Sequence, residues 1–412
     1  MSTEPPQLVG TRYLLIGVAL FLALGGLVMV FSASSAADIV QKGDAFYHLK
    51  HQAVYVAAGL VALLVCSRLP RRFVAATGWW VLLGSDALLA MVFVMGIGKW
   101  GATRWLDLGF TTIQPSEFAK LGCVLVMAQI LADRQAHPRP LSKDLPKMAF
   151  AVMVPFVLVM VQPDMGTAVS ILLAVFFVLV IGGLQMRWLA ATAAGIAVAL
   201  PALIVVQAYR LTRFLSFLDP SGDPQGKGYQ ILQAQLAFGS GGLLGLGLGM
   251  SRQKFFYLPA AHTDFIFAII GEELGLLGTL TVVGAFALMC YAGMRLALAT
   301  RDTYGRLLAG GLTVMIVTGA AMNMASVTGL MPVTGTPLPL VSFGGSSMLF
   351  TMGCIGLILS VTSGRDRVPT RNRPPAVDGE GSAVAGTSER RRDSRPRLSG
   401  IDGGRAGLRR GA

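Results

Sequence analysis

Residues 13–33 read YLLIGVALFLALGGLVMVFSA, with no charge anywhere in the run. A helical crossing of a bilayer core takes about 20 mostly apolar residues, and in lipid each backbone amide must bond within its own segment. The run is therefore read as a membrane-spanning helix. Nine similar stretches follow, at 52–68, 78–98, 116–133, 147–163, 165–184, 187–207, 265–294, 306–330 and 340–362. The pattern predicts an all-α polytopic membrane protein with ten transmembrane helices. Composition agrees: 54% of residues are hydrophobic and 13% charged, about half the charge of an average soluble domain.

Basic residues orient the chain, because Lys and Arg collect in short cytoplasmic connections. Arg12, then Arg68, Arg71 and Arg72, then Arg134, Arg139, Lys143 and Lys147, then Arg187, then Arg295, Arg301 and Arg306 all fall in segments of one parity. Both termini are predicted cytoplasmic. The outward loops are then 34–51, 99–115, a short turn at 163–165, 208–264 and 331–339. The large extracytoplasmic loop lies between helices 7 and 8. Residues 1–12 read as a cytoplasmic N-terminal segment, 13–363 as the transmembrane domain and 364–412 as a disordered basic cytoplasmic tail. The net charge of +13 invites a nucleic-acid reading, but twelve arginines against six acids in 365–410 supply about half of it. Such a Pro-, Gly-, Ser- and Arg-rich segment suits the anionic inner leaflet first and a cytoplasmic protein second. Nucleic acid is not expected as a partner. Cys66, Cys123, Cys290 and Cys354 lie within spans, without CxxC spacing, and read as packing residues.

Polar residues gather at the outward ends of spans. Arg104-Trp105 is followed by Gln114-Pro115-Ser116-Glu117 and Lys120. Pro115 fits a first helical turn, and Glu117 and Lys120 share a helix face. An interfacial anchor explains Arg104 and Trp105 as well as a binding pair does, whereas a charge a full turn into the span, like Lys120, usually faces a cavity. Gln162-Pro163-Asp164-Met165-Gly166-Thr167 joins two spans with almost no loop, and Asp164 fits a helix cap. The long loop carries Arg210 and Arg213, the glycine-dense run 239–249, then Ser251-Arg252-Gln253-Lys254 and His262-Thr263-Asp264. The glycines admit either an anion against backbone amides or a re-entrant segment; no Walker ending marks a nucleotide site. Glu272 and Glu273 lie deeper in the eighth span and are read as paired inside the bundle. Thr334–Ser347, with two prolines and three glycines, breaks the chain before the last span; such breaks mark binding sites or close helix packing.

A set of cations beside a few acids and a greasy surface matches an anionic head on a lipid tail. Arg suits phosphate, and a partly desolvated carboxylate at the membrane boundary suits a general base. Group transfer from a lipid-linked phosphate and movement of such a lipid across the bilayer both fit.

The segments Arg104-Trp105, Gln114–Lys120, Gln162–Thr167, His262–Ala268 with Gly271–Gly275, and Pro339–Ser347 resemble, in this order, the motifs of the SEDS family (shape, elongation, division and sporulation), over roughly residues 10–364. The compact run from Gly249 to Asp264 is most similar to the division-type branch; Ala260 departs from it, where that branch commonly has Glu. The resemblance implies a peptidoglycan glycosyltransferase that polymerises lipid II into β-1,4 glycan strands. It implies Asp264 as catalytic carboxylate or metal holder, and Arg104, Glu117, Lys120, Arg213, Arg252, Lys254 and Ser342 as substrate-binding residues. A divalent cation (Mg or Mn) is the implied cofactor. A class B penicillin-binding protein transpeptidase and other division proteins are the implied partners, at the septum of a bacterial inner membrane. A lipid II flippase is the alternative, with a membrane scaffold third.

Overall fold

The computed structural model describes residues 6–99, 102–107, 112–222, 226, 228–255 and 257–363. The tail expected at 364–412 lies outside them. Among the described residues the α-helices are α1 (Pro6–Lys42), α2 (Tyr47–Arg68), α3 (Arg71–Met95), α4 (Pro115–Ala136), α5 (Leu145–Val161), α6 (Met165–Ile181), α7 (Met186–Val206), α8 (Ala208–Leu218), α9 (Tyr229–Gly241), α10 (Ile266–Ala299), α11 (Thr303–Val327) and α12 (Gly345–Val361). Seven of them, α1 to α4, α7, α10 and α11, are long and apolar enough to cross a membrane. The apolar helices α5, α6 and α12 have 17 residues each, about 25 Å of helix. The ten apolar stretches read from the sequence fall on these ten helices; α8 and α9 occupy the long connection.

The all-α expectation needs one correction. Three short strands, β1 (Ile97–Lys99), β2 (Ala102–Asp107) and β3 (Thr112–Ile113), form an antiparallel sheet in the order β1-β2-β3. Trp105 pairs with Ile97, and Leu106 with Ile113. This meander, too short for a propensity signal, folds the 99–115 connection back and brings Arg104 over the bundle. A second difference lies at 34–51: α1 continues to Lys42, beyond its apolar stretch.

Local chemistry sets the helix ends. Pro115 occupies the first turn of α4, with Glu117 in that turn and Arg134 in the last, charges that oppose the helix dipole. Asp164 caps α6 by accepting from the Thr167 amide at 3.1 Å, and Asp302 caps α11 through Gly305 at 2.6 Å. Helices pack as α2 on α12, α3 on α4, α1 and α11 on α10, and α6 on α11. Gly356 lets α12 lie directly against the Leu63 backbone, where a Cβ would sit 2.5 Å from a carbonyl oxygen. α4 and α11 are mostly buried, whereas α7 buries no residue and stands at the rim.

The bundle has two distinct ends. At one, Arg12 donates to Thr362 O, Arg71 pairs with Asp302 at 2.9 Å, and Arg306 reaches Gln135 at 3.3 Å. This basic end holds the start of α1, the end of α12 and the α2–α3 and α10–α11 connections. The other holds the α1–α2 turn, the sheet, the α5–α6 turn, the start of α10 and the 334–344 segment.

α10 is broken. Gly275 has φ 65 and ψ −159, a conformation essentially reserved for glycine. The amides and carbonyls freed by the break are met by the glycine-dense segment: Leu246 and Gly247 donate to Glu272 O and Glu273 O at 2.9 and 3.0 Å, and Leu276 donates to Gly242 O at 2.9 Å. The segment is thus a backbone plug for a discontinuous helix, which explains its glycine density.

Asp86 of α3 is 7% exposed, and among the described residues neither carboxyl oxygen has a hydrogen-bond partner. A buried polar group without a partner costs free energy that an apolar side chain does not. Asp86→Leu is expected to stabilise the protein by about 1–3 kcal/mol, read as a raised thermal midpoint in detergent; a lowered midpoint would count against the reading.

Candidate active site

Asp264 lies in the tight turn that leads into α10. Ala260, at φ 57, starts the turn, and its carbonyl accepts from the Thr263 and Phe265 amides at 3.1 and 3.3 Å. Three successive carbonyls of the turn are then held from elsewhere in the fold. His262 O accepts from the Phe343 amide at 3.0 Å, Thr263 O from Ser342 Oγ at 2.6 Å and Asp264 O from Asn323 Nδ2 at 2.8 Å. Asn323, fully buried on α11, also donates to Thr336 O at 2.7 Å. One amide thereby ties the turn to the 334–344 segment.

The backbone of Asp264 is fixed, but its carboxylate accepts no hydrogen bond among the described residues. Gly335 lies beside it, the position of a Cβ there being 3.7 Å from Oδ2. Burial pushes the carboxyl up to about 6; Arg213 and Arg104 pull it down, and Asp164 adds to the rise. A carboxylate that accepts no hydrogen bond among the described residues and is partly desolvated is equipped to take a proton near neutral pH, while the two guanidinium groups hold that rise in check.

The cations come from separate elements. Arg104, on β2, donates to Gln162 O and Pro163 O and sits 3.7 Å from Asp164. Asp164 is engaged with Thr167 and Gln114. Arg213, on α8, lines a cavity of about 90 Å³ together with Arg210, Phe214, Met322 and Thr334. Arg210 itself spends its guanidinium on Met160 O and Leu203 O. Glu117 and Lys120 form a 2.8 Å ion pair and line a second cavity of about 30 Å³ with Ser170, Thr336 and Ser347. Thr334 and Thr336, which line the two cavities, are hydrogen-bonded at 2.9 Å.

The model of the cell cycle protein family FtsW/RodA/SpoVE matches residues 12–366. This chain belongs to the FtsW/RodA/SpoVE family. It is 38% identical over 371 residues to the probable peptidoglycan glycosyltransferase FtsW of Trichlorobacter lovleyi, covering 89% of this chain and 97% of that one. It is 35% identical over 360 residues to the stage V sporulation protein E of Bacillus subtilis, covering 85% and 96%. Among solved structures it is similar to a chain of a peptidoglycan synthase complex described for its structural coordination of polymerization and crosslinking, with a TM-score of 0.70, 31% identity and coverage of 87% and 98%. It is also similar to the rod shape determining protein RodA of Thermus thermophilus, with a TM-score of 0.64, 30% identity and coverage of 86% and 96%.

Within this FtsW/RodA/SpoVE fold, the expected site residues divide. Arg213 and Arg104 act electrostatically on Asp264, and Glu117 and Lys120 line the second cavity. Lys254 and Ser342, both in the expected substrate-binding set, are engaged within the fold. The Lys254 ammonium is buried and bonds Gly249 O and, at 3.5 Å, Glu273. Ser342 Oγ is committed to two backbone groups, accepting from Leu338 N at 2.8 Å and donating to Thr263 O. Both are sequence neighbours of motif residues, and a spacing argument does not separate a clamp from a ligand. Arg252 is exposed, while its amide donates to Glu272 at 3.0 Å. Glu272 and Glu273 are paired inside the fold as expected: Glu273 accepts from Ser32 Oγ at 2.6 Å and Ser251 N at 3.3 Å, and Glu272 from Ser251 Oγ. Asn323 escaped the sequence reading. Its only signal was an amide in the middle of an apolar span, which in membranes is rarely idle.

Proposed function

We propose that the chain is a peptidoglycan glycosyltransferase that polymerises lipid II into β-1,4 glycan strands during septal wall synthesis. The observation that carries this reading is the Asp264 carboxylate, which accepts no hydrogen bond among the described residues, has its proton affinity raised and feels the charge of Arg213 and Arg104; Gly335 beside it stands between Thr334 and Thr336, which line the two cavities. Asp264 takes the proton of the acceptor sugar 4-hydroxyl. The oxygen so freed bonds to the anomeric carbon of the donor as the bond from that carbon to the lipid pyrophosphate breaks. A single displacement turns the α-linked donor into a β linkage. Pyrophosphate is a good leaving group, so no second carboxyl is required as acid, unlike ordinary glycoside hydrolysis. Arg213 and Arg104 steady the charge on the departing phosphates, and Lys120, oriented by Glu117, extends the cationic lining.

A divalent cation fits only as a shared ligand. Among the described residues no group of three or more His, Cys, Asp or Glu is placed to hold a metal, and Asp164 is spent on its cap. Asp264 would then hold the ion instead of acting as base, giving one carboxylate beside the substrate phosphates, as Mg²⁺ commonly accepts. The cation would neutralise pyrophosphate charge.

The reading includes ten crossings of a bacterial inner membrane, with both termini cytoplasmic. Its support is the basic end, where Arg12 and Thr362 meet, opposite the Asp264 end. The partners are a class B penicillin-binding protein transpeptidase and other division proteins. The chain purified with its transpeptidase and labelled lipid II is expected to yield glycan strands. Lipid II translocation into liposomes without polymer would instead favour a flippase.

A further inference from the structure

The imidazole of His262 sits two residues before Asp264. Among the described residues its ring makes no hydrogen bond; it is held by other rings. His48, at the start of α2, lies 4.5 Å from it between centroids, and the ring of Phe343 closes the cluster at 4.6 Å from His48 and 5.8 Å from His262. His48 is itself anchored. Asp38, on the extension of α1 and 1% exposed, accepts from the His48 ring at 2.5 Å, from the His48 amide at 3.2 Å and from Ser34 Oγ at 2.9 Å. Three donors leave this carboxylate little freedom, and through it His48 is tied to both α1 and α2.

The geometry has a consequence for the turn. Its three carbonyls are held by Phe343, Ser342 and Asn323, all from the α11–α12 side. The side chain of His262 is held from the α1–α2 side, against His48. The backbone bonds thus grip the turn from one side and the ring contact braces it from the other. The contact of His262 with His48 and Phe343 is a packing contact between rings.

We propose that His48, anchored by Asp38, is a positioning residue for Asp264: it wedges His262 against Phe343 and sets the direction in which the carboxylate points. The proposal rests on the glycosyltransferase reading above. A misplacement of about 1 Å of a reacting group can cost about 100-fold in rate, so the effect belongs in kcat.

The test is lipid II polymerisation by the full chain with its transpeptidase, at several substrate concentrations and from pH 4.5 to 8.5, with active protein counted by size-exclusion peak area. His48→Ala is expected to lower kcat by about 10–100-fold with KM within twofold of the parent. His48→Phe fills the place of the ring but loses the Asp38 bond, and should give a kcat between those of His48→Ala and the parent. Asp38→Asn, which keeps the Ser34 contact, should shift kcat in the direction of His48→Ala and serves if that variant does not fold. Parental kcat in folded His48→Ala or Asp38→Asn would overturn the proposal, as would a loss of rate accounted for by fewer folded molecules alone. A parent chain that makes no glycan would defeat the glycosyltransferase reading itself, a different outcome.

Discussion

Asp264→Asn is expected to cut lipid II polymerisation by about 10²–10⁴-fold, the usual worth of a positioned general base, while the protein elutes as the parent does. Asn keeps the shape of the side chain, and among the described residues no hydrogen bond to the carboxylate is lost. Only proton acceptance disappears. The parent's rate should fall as pH drops through about 6, where the carboxylate becomes protonated; the residual rate of the variant should be flat across that limb. Stability moves the opposite way. The folded carboxyl, at about 6 against an ordinary 3.8, holds its proton more tightly than the unfolded chain does. Its contribution is full below about pH 4 and lost as pH rises through 6. Asp264→Asn should therefore be more stable than the parent at pH 8, by on the order of 1–3 kcal/mol, and no more stable at pH 4. Normal polymerisation by the variant would remove Asp264 from the chemistry. A variant less stable at pH 8 would mean that the carboxylate has a partner in the fold.

Gly275→Ala is expected to cost about 3 kcal/mol or more and to leave little folded protein. The dihedrals at Gly275 strain any L-residue, and there is no room besides: a Cβ would stand 2.4 Å from Gly245 N and 2.6 Å from Leu243 O. Those atoms belong to the plug, whose own Gly245 is within 2.2 Å of Glu273 O by the same measure. Neither side can withdraw without breaking the bonds from Leu246, Gly247 and Leu276 that satisfy the interrupted helix. Yield and thermal midpoint in detergent, compared with Gly284→Ala, where a Cβ meets nothing within 4 Å, check the expectation. Equal behaviour of the two variants would show that the break in α10 is not rigid.

The membrane-type helices were legible because lipid imposes one requirement on every crossing, and apolar length records it. Cap residues such as Asp164 and Pro115 were legible because capping is local in the chain. Glu272 and Glu273 were read as internal from their depth, but not their partners. Ser32 is 241 positions from Glu273 and Ser251 is 22, and no period links them. The strands around Arg104 were missed because so few residues pair over so short a span. The internal bonds of Lys254 and Ser342 were not legible because a motif marks a neighbourhood and does not say which of its side chains face outward.

The order of elements, the placing of Asp264 at the entrance to a span, and the presence of cations near it follow from the one-dimensional pattern, since each depends on composition within a few residues. Which cations act on that carboxylate, which motif residues are consumed as clamps, and which distant rings brace the turn depend on the folding together of α1, α2, α8, α11 and the sheet. Those contacts join residues tens to hundreds of positions apart, and packing in three dimensions alone selects them.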